Sequence, residues 1–192
     1  MPVSARDLQL GSRLPWFSVT DLDGRTWDSA SLRPDRLVLV AFLCRHSPYV
    51  VHLEEHFGRL ARTLEEREVT VIAIAPNDAR AYPSDGPQHL AEQAANAGFS
   101  FPYCLDEKQQ AAKAFGASCT PEFFLYDLGR RLVYHGQYDG SRPGSGLPVT
   151  GTDLLAAVDA TLAGDFVHGD QRPSFGCSIK WAAGNEPSYL LA

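Results

Sequence analysis

At roughly 150 residues per domain, a chain of 192 residues is one domain with appendages, long enough to bury about 70% of its unfolded surface without disulfide or metal staples. Apolar content of 44% and charged content of 21% exclude a disordered chain or a coiled coil. A net charge of −6 with no basic stripe excludes nucleic acid and anionic membrane as partners.

The first structural signal is a small N-terminal hairpin, Phe17–Thr20 and Thr26–Trp27 around Asp23-Gly24. Leu37–Leu43 is a continuous apolar run, as in a strand buried on both faces. From Pro48 the period changes: Val50, Leu53, Phe57, Leu60 and Leu64 line one face of a helix. Val69–Ala75 is a second buried strand, which makes a β-α-β unit with parallel strands. A breaker-rich loop, Pro76 to Pro87, leads to a small-residue helix, Gln88 to Ala97, closed by Gly98. Phe99 to Leu105 reads as a short strand, and Asp106 with Gln109 as a capping box opening a helix that ends at Gly116. Glu122–Tyr126 and Arg131–His135 flank the turn Asp127-Leu128-Gly129-Arg130 as a hairpin. After the glycine-rich loop Asp139 to Thr150, Thr152 caps a last helix through Leu162. The expected organisation is one α/β domain over residues 1–164, with a mixed sheet whose last two strands run antiparallel to the first two. A tail, 165–192, packs on its surface.

Neither apolar run reaches the ~20 residues of a membrane helix, and Met1 to Leu14 lacks a charged segment followed by an apolar one. Four cysteines are too few for a disulfide scaffold. The expectation is a cytoplasmic chain with reduced thiols.

One cysteine stands where chemistry is expected. Cys44-Arg45-His46-Ser47-Pro48 lies between a central strand and a helix, and reaction sites in open α/β sheets sit at the carboxyl ends of parallel strands. Over a helix N-terminus, beside Arg45 and His46, a thiol is expected to ionise below its usual value of about 8.5. The alternative is a small apolar side chain at a strand end. In Cys119-Thr120-Pro121 the proline is either a strand-start device or a cis-proline. No phosphate-binding glycine motif, H-E-x-x-H or metal-ligand spacing is present, so neither a cofactor nor a metal is expected.

Together these segments resemble the thioredoxin-fold superfamily, through a C-x-x-S variant of the C-x-x-C motif and Thr120-Pro121 before the hairpin. Phe42 to Val50, Ala75-Pro76-Asn77-Asp78, Phe101-Pro102-Tyr103, Ser141-Arg142-Pro143-Gly144 and Gly176 to Trp181 are similar to redoxins of the alkyl hydroperoxide reductase/thiol-specific antioxidant group. The likeness spans residues 10 to 185 and implies a central mixed sheet flanked by helices, with a redoxin-type strand-helix insertion. It implies Cys44 as nucleophile, His46 as a thiolate stabiliser and Thr120 with a cis Pro121 shaping a substrate groove. Arg45, Asn77 and Arg142 are expected at that groove. The departure is Ser47, which stands where the group usually has a second cysteine. An adduct on Cys44 then needs another resolving thiol. Cys119 is the first candidate, through a Cys44–Cys119 disulfide. Cys177 is a second, and Cys104 is core. The expected function is thiol-disulfide exchange, on a disulfide-bearing protein or a peroxide, with an external thiol donor such as glutathione or a thioredoxin-type reductase. The alternatives are a peroxide reductase and a redox-silent binding module.

Overall fold

The computed structural model describes residues 1–167 and 171–190. The chain begins with strand β1 (Pro2–Ser4), the hairpin β2 (Ser18–Asp21) and β3 (Thr26–Asp28), then β4 (Leu37–Phe42), α1 (Pro48–Glu66) and β5 (Val69–Ala75). It continues with α2 (Pro87–Ala97), β6 (Tyr103–Leu105), α3 (Gln110–Phe115), β7 (Cys119–Thr120), β8 (Glu122–Tyr126), β9 (Leu132–Gly136), α4 (Thr152–Ala163) and β10 (Phe175–Ser178). Seven strands form a mixed sheet in the order β3-β2-β6-β5-β4-β8-β9, and β1, β10 and β7 form a second, small sheet. As expected, β4 and β5 are parallel and β8 runs antiparallel to β4. β9, paired antiparallel to β8 across the hairpin turn, runs in the same direction as β4, so only one of the last two strands opposes the first two. No helix among the described residues is long and apolar enough to cross a membrane.

The strand period of two splits the sheet into two cores. Leu37, Leu39 and Ala41 face one side with the α1 residues Leu53, Phe57 and Leu64 and the α4 residues Leu154 and Val158. Val38, Val40 and Phe42 face the other, against Phe17, the α3 residue Phe115 and Ile179 of the C-terminal segment. Because both faces of β4 are covered, its carboxyl end is set rigidly above α1, which is what positions Cys44.

Three local expectations change. The carboxylate of Asp106 does cap α3, accepting from Ala111 N at 3.2 Å and Ala112 N at 2.8 Å. Gln109, however, does not complete a capping box. It has φ 57° and sends its amide to the carbonyls of Pro76 (2.8 Å) and Lys180 (2.9 Å). Thr152 is the first residue of α4 rather than its cap. The left-handed Gly151 precedes it, with its N–H bound at 2.7 Å by Asp139 Oδ2. The tail does not merely cover the surface: Phe175–Ser178 is a strand hydrogen-bonded between β1 and β7. Its short length and lack of alternating polarity hid it. Residues 168–170 and 191–192 of that tail lie outside the described residues.

Candidate active site

Cys44 follows β4 by two residues and is fully buried. Its sulfur lies 2.9 Å from Thr120 Oγ1, and the Ser47 backbone N–H at the start of α1 also points at it. The Thr120–Pro121 peptide bond is cis, as expected for this position. Ser47 has another task than cysteine chemistry. Buried at the helix start, it donates from Oγ to the Thr120 carbonyl at 3.1 Å, tying α1 to β7.

The residue that governs the electrostatics is Asp85, at the end of a 3₁₀ turn, Pro83–Asp85. Its side chain is inaccessible to solvent. Oδ1 accepts from the backbone N–H groups of Arg45 (2.8 Å) and His46 (3.1 Å). Oδ2 meets His46 Nδ1 at 2.5 Å and accepts from Asn77 Nδ2 at 2.9 Å. A carboxylate oxygen accepts in this contact, so Nδ1 of His46 is the donor, and Nε2 has no hydrogen-bond partner among the described residues. The ring also stacks on Tyr82, with centroids 5.7 Å apart.

This overturns the expectation of an acidic thiol. Burial, and next the charge of Asp85, push the Cys44 pKa up to about 12, against the smaller opposing pull of Thr120 and the Ser47 N–H. Arg45 does not offset this; its charge acts on Glu54, whose carboxyl burial holds above the usual range. Helix-terminus and cation arguments fail here because the site is dry and a carboxylate from a distant turn is bonded to the same loop.

The other expected residues divide. Asn77 is a clamp rather than a groove wall: it donates to Asp85, and its Oδ1 accepts from Lys180 N at 2.8 Å. The guanidinium of Arg142 is bound to the Asp139 and Ser141 carbonyls (2.8 and 2.6 Å) and to Gln137 Oε1 (2.5 Å). It lines a recess with Tyr49, His52, Phe175 and the cis-proline Pro121. Cys119 points away from Cys44. Successive side chains of a strand alternate in direction, so with Thr120 facing Cys44 its neighbour faces the other way. Cys119 Sγ lies 3.8 Å from the Pro121 carbonyl, and its N–H donates to Glu122 Oε2 at 3.0 Å. Burial raises its pKa, and the nearby Glu122 adds to the effect. Cys104 is buried, as expected. All four cysteines are free thiols.

Two buried groups escaped the sequence reading. Asp85 sat within a turn signal, Pro83-Ser84-Asp85-Gly86, with nothing to tie it to Cys44. Glu122 pairs through Oε1 with His135 Nε2 at 2.7 Å and holds the N–H groups of Ser118 and Cys119. Two ionisable residues, Glu122 and His135, on the facing strands of the hairpin were the only available hint. Asp85 also brings a third metal-type donor to Cys44 and His46; one donor atom from each lies within 4.8 Å of the others. A metal ion there would have to displace His46 Nδ1 or Asn77 from a carboxylate whose oxygens already hold four donors. The arrangement fits a hydrogen-bond hub better than a ligand set.

A parallel strand ending in a cysteine over a helix start, faced by a threonine and a cis-proline, defines a thioredoxin-fold protein. The chain belongs to the AhpC/TSA family, which matches residues 10–135. A solved hypothetical protein from Sinorhizobium meliloti 1021 is 44% identical, with a TM-score of 0.92 over 94% of this chain and 99% of that one. An uncharacterized conserved protein from Geobacillus kaustophilus is 40% identical, with a TM-score of 0.91 over 95% and 97%. Peroxidoxin BcpB from Mycobacterium tuberculosis, 19% identical with a TM-score of 0.59 over 82% and 96%, shares the fold. No curated protein matches the chain.

Proposed function

We propose that this protein is a thiol-dependent oxidoreductase working by thiol-disulfide exchange, with Cys44 as the attacking sulfur. The observation that carries the reading is the contact of Cys44 Sγ with Thr120 Oγ1 at 2.9 Å, beside cis-Pro121 at the carboxyl end of β4. Only a thiolate attacks, so the proton of Cys44 must leave. The acceptor assigned here is the His46 ring, one nitrogen of which lies within 4.8 Å of the sulfur. Once it takes that proton, the imidazolium neutralises the Asp85 charge that opposed ionisation. The resting site thus holds the sulfur neutral and becomes tolerant of thiolate as the proton is passed on.

In the attack, the Cys44 thiolate joins one sulfur of a disulfide and the other sulfur leaves as a thiolate. An external thiol of the glutathione or thioredoxin class returns the protein to its reduced state. Strand addition by an extended protein substrate at the β7 edge is disfavoured, because β10 already occupies that edge. The filled edge favours small oxidants, so a hydroperoxide is the second substrate class supported by a specific observation. The test is glutathione disulfide or hydroperoxide consumption coupled to an external dithiol reductant, for the wild type and Cys44→Ser. Loss of at least 100-fold of the rate is expected. An unchanged rate in Cys44→Ser would overturn the reading and leave a binding module.

A further inference from the structure

We propose that the C-terminal strand β10 is a substrate strand built into the active site, in which Cys177 resolves the adduct on Cys44 by forming a Cys44–Cys177 disulfide. The inference rests on Cys44 being the nucleophile. Antiparallel pairing sets Cys177 directly opposite Thr120 and Ser178 opposite Cys119. Residues directly opposite in an antiparallel pair share a face, with Cβ atoms about 5 Å apart. The Thr120 side chain points at Cys44, so the Cys177 side chain stands on the face that holds the nucleophile. Cys119 stands on the opposite face.

The neighbouring residues are shaped for this seat. A Cβ on Gly176 would lie 2.1 Å from the Thr120 carbonyl oxygen and 3.0 Å from Pro121 N. Only glycine lets β10 press this closely on the cis-proline turn. The strand is locked at both ends: Ile179 N donates to the Ser118 carbonyl at 3.0 Å, and Ala5 N to the Ser174 carbonyl at 2.7 Å. Beyond it, Lys180 is gripped by Asn77 and Asp78 from the β5 end of the site. Cys177 is also the only one of the four thiols that is not fully buried.

The chemistry balances with a disulfide, RSSR, as oxidant. The Cys44 thiolate attacks one sulfur, forming Cys44–S–S–R and releasing RS⁻. The Cys177 thiolate then attacks Cys44 Sγ, forming Cys44–Cys177 and expelling the second RS⁻. Two protein thiols lose two electrons and two protons, and RSSR becomes two RSH. The tail thiol replaces the second motif thiol that Ser47 does not supply.

The test uses the full chain, reduced, desalted and treated with glutathione disulfide, followed by non-reducing peptide mapping over time. The wild type and Cys119→Ser are expected to yield the Cys44–Cys177 linked peptide. In Cys177→Ser, the Cys44–glutathione adduct should persist at least tenfold longer. A dominant Cys44–Cys119 or Cys119–Cys177 link overturns the inference, as does an adduct equally long-lived in the wild type and Cys177→Ser. Wherever Cys44 is found in the link or in the adduct it has reacted, and the functional reading survives; a Cys119–Cys177 link with Cys44 unmodified overturns that reading as well. A Cys44 left unmodified in all three proteins overturns both.

Discussion

Replacing Asp85 by asparagine isolates the charge that opposes ionisation of Cys44. The substitution keeps volume and burial and removes one negative charge, whose oxygen lies within 4.8 Å of the sulfur. At an effective dielectric of about 20, two unit charges about 5 Å apart interact by about 3 kcal/mol, or roughly two pH units. Cys44 pKa should therefore fall from about 12 by roughly two units in Asp85→Asn, while burial, the largest cause, keeps it above an ordinary thiol. At pH 8 the thiolate fraction rises about 100-fold, since each unit is a factor of ten. There is a structural cost: the new amide presents its N–H₂ to Asn77 or to His46, and an unsatisfied buried donor costs about 1–3 kcal/mol. The assay is mass-spectrometric alkylation of the Cys44 peptide between pH 7 and 11, with urea unfolding to establish that the variant stays folded. A midpoint that stays put, or rises, in a folded Asp85→Asn protein would refute the electrostatic account of the site.

Buried thiols also make stability depend on alkaline pH. Cys44 and Cys104 are both pushed up to about 12 by burial, so the folded state keeps their protons after the unfolded chain has lost them. Their contribution is fully present below the unfolded thiol value near 8.5 and drains away as pH rises towards about 12, by about 1.4 kcal/mol per pH unit per thiol. Urea midpoints at pH 8, 9.5 and 10.5 should decline, less steeply in Cys104→Ala; parallel declines would count against a burial-raised Cys104. Glu122→Ala should cost about 3–5 kcal/mol, because it strips His135 and two buried N–H groups of their partner at once. A loss below about 1 kcal/mol by the same measurement would mean that solvent replaces the carboxylate.

The features legible in the chain were those with a local physical cause. An uninterrupted apolar run that can only be buried on both faces identified β4 and β5, and a change of period at Pro48 identified α1. Because a strand and the next helix meet at one place, Cys44 could be assigned to the sheet's carboxyl edge before any contact was known. The family-like Thr120-Pro121 indicated which strand would face it. Contacts between distant segments had no such cause. Asp85 reaches the loop of Cys44 from 41 positions away because the 3₁₀ turn after β5 folds its carboxylate onto two free N–H groups. Burial first, and that contact after it, reversed the expected direction of the Cys44 pKa. Along the chain Cys119 ranked ahead of Cys177 as a partner, on its place beside Pro121 alone. Which of them faces the nucleophile depends on strand register, where a slip of one residue exchanges the two faces. Register is set by how β10 seats Gly176 against Thr120 and Pro121, a fit between segments more than 50 positions apart that comes into being only when the chain has folded.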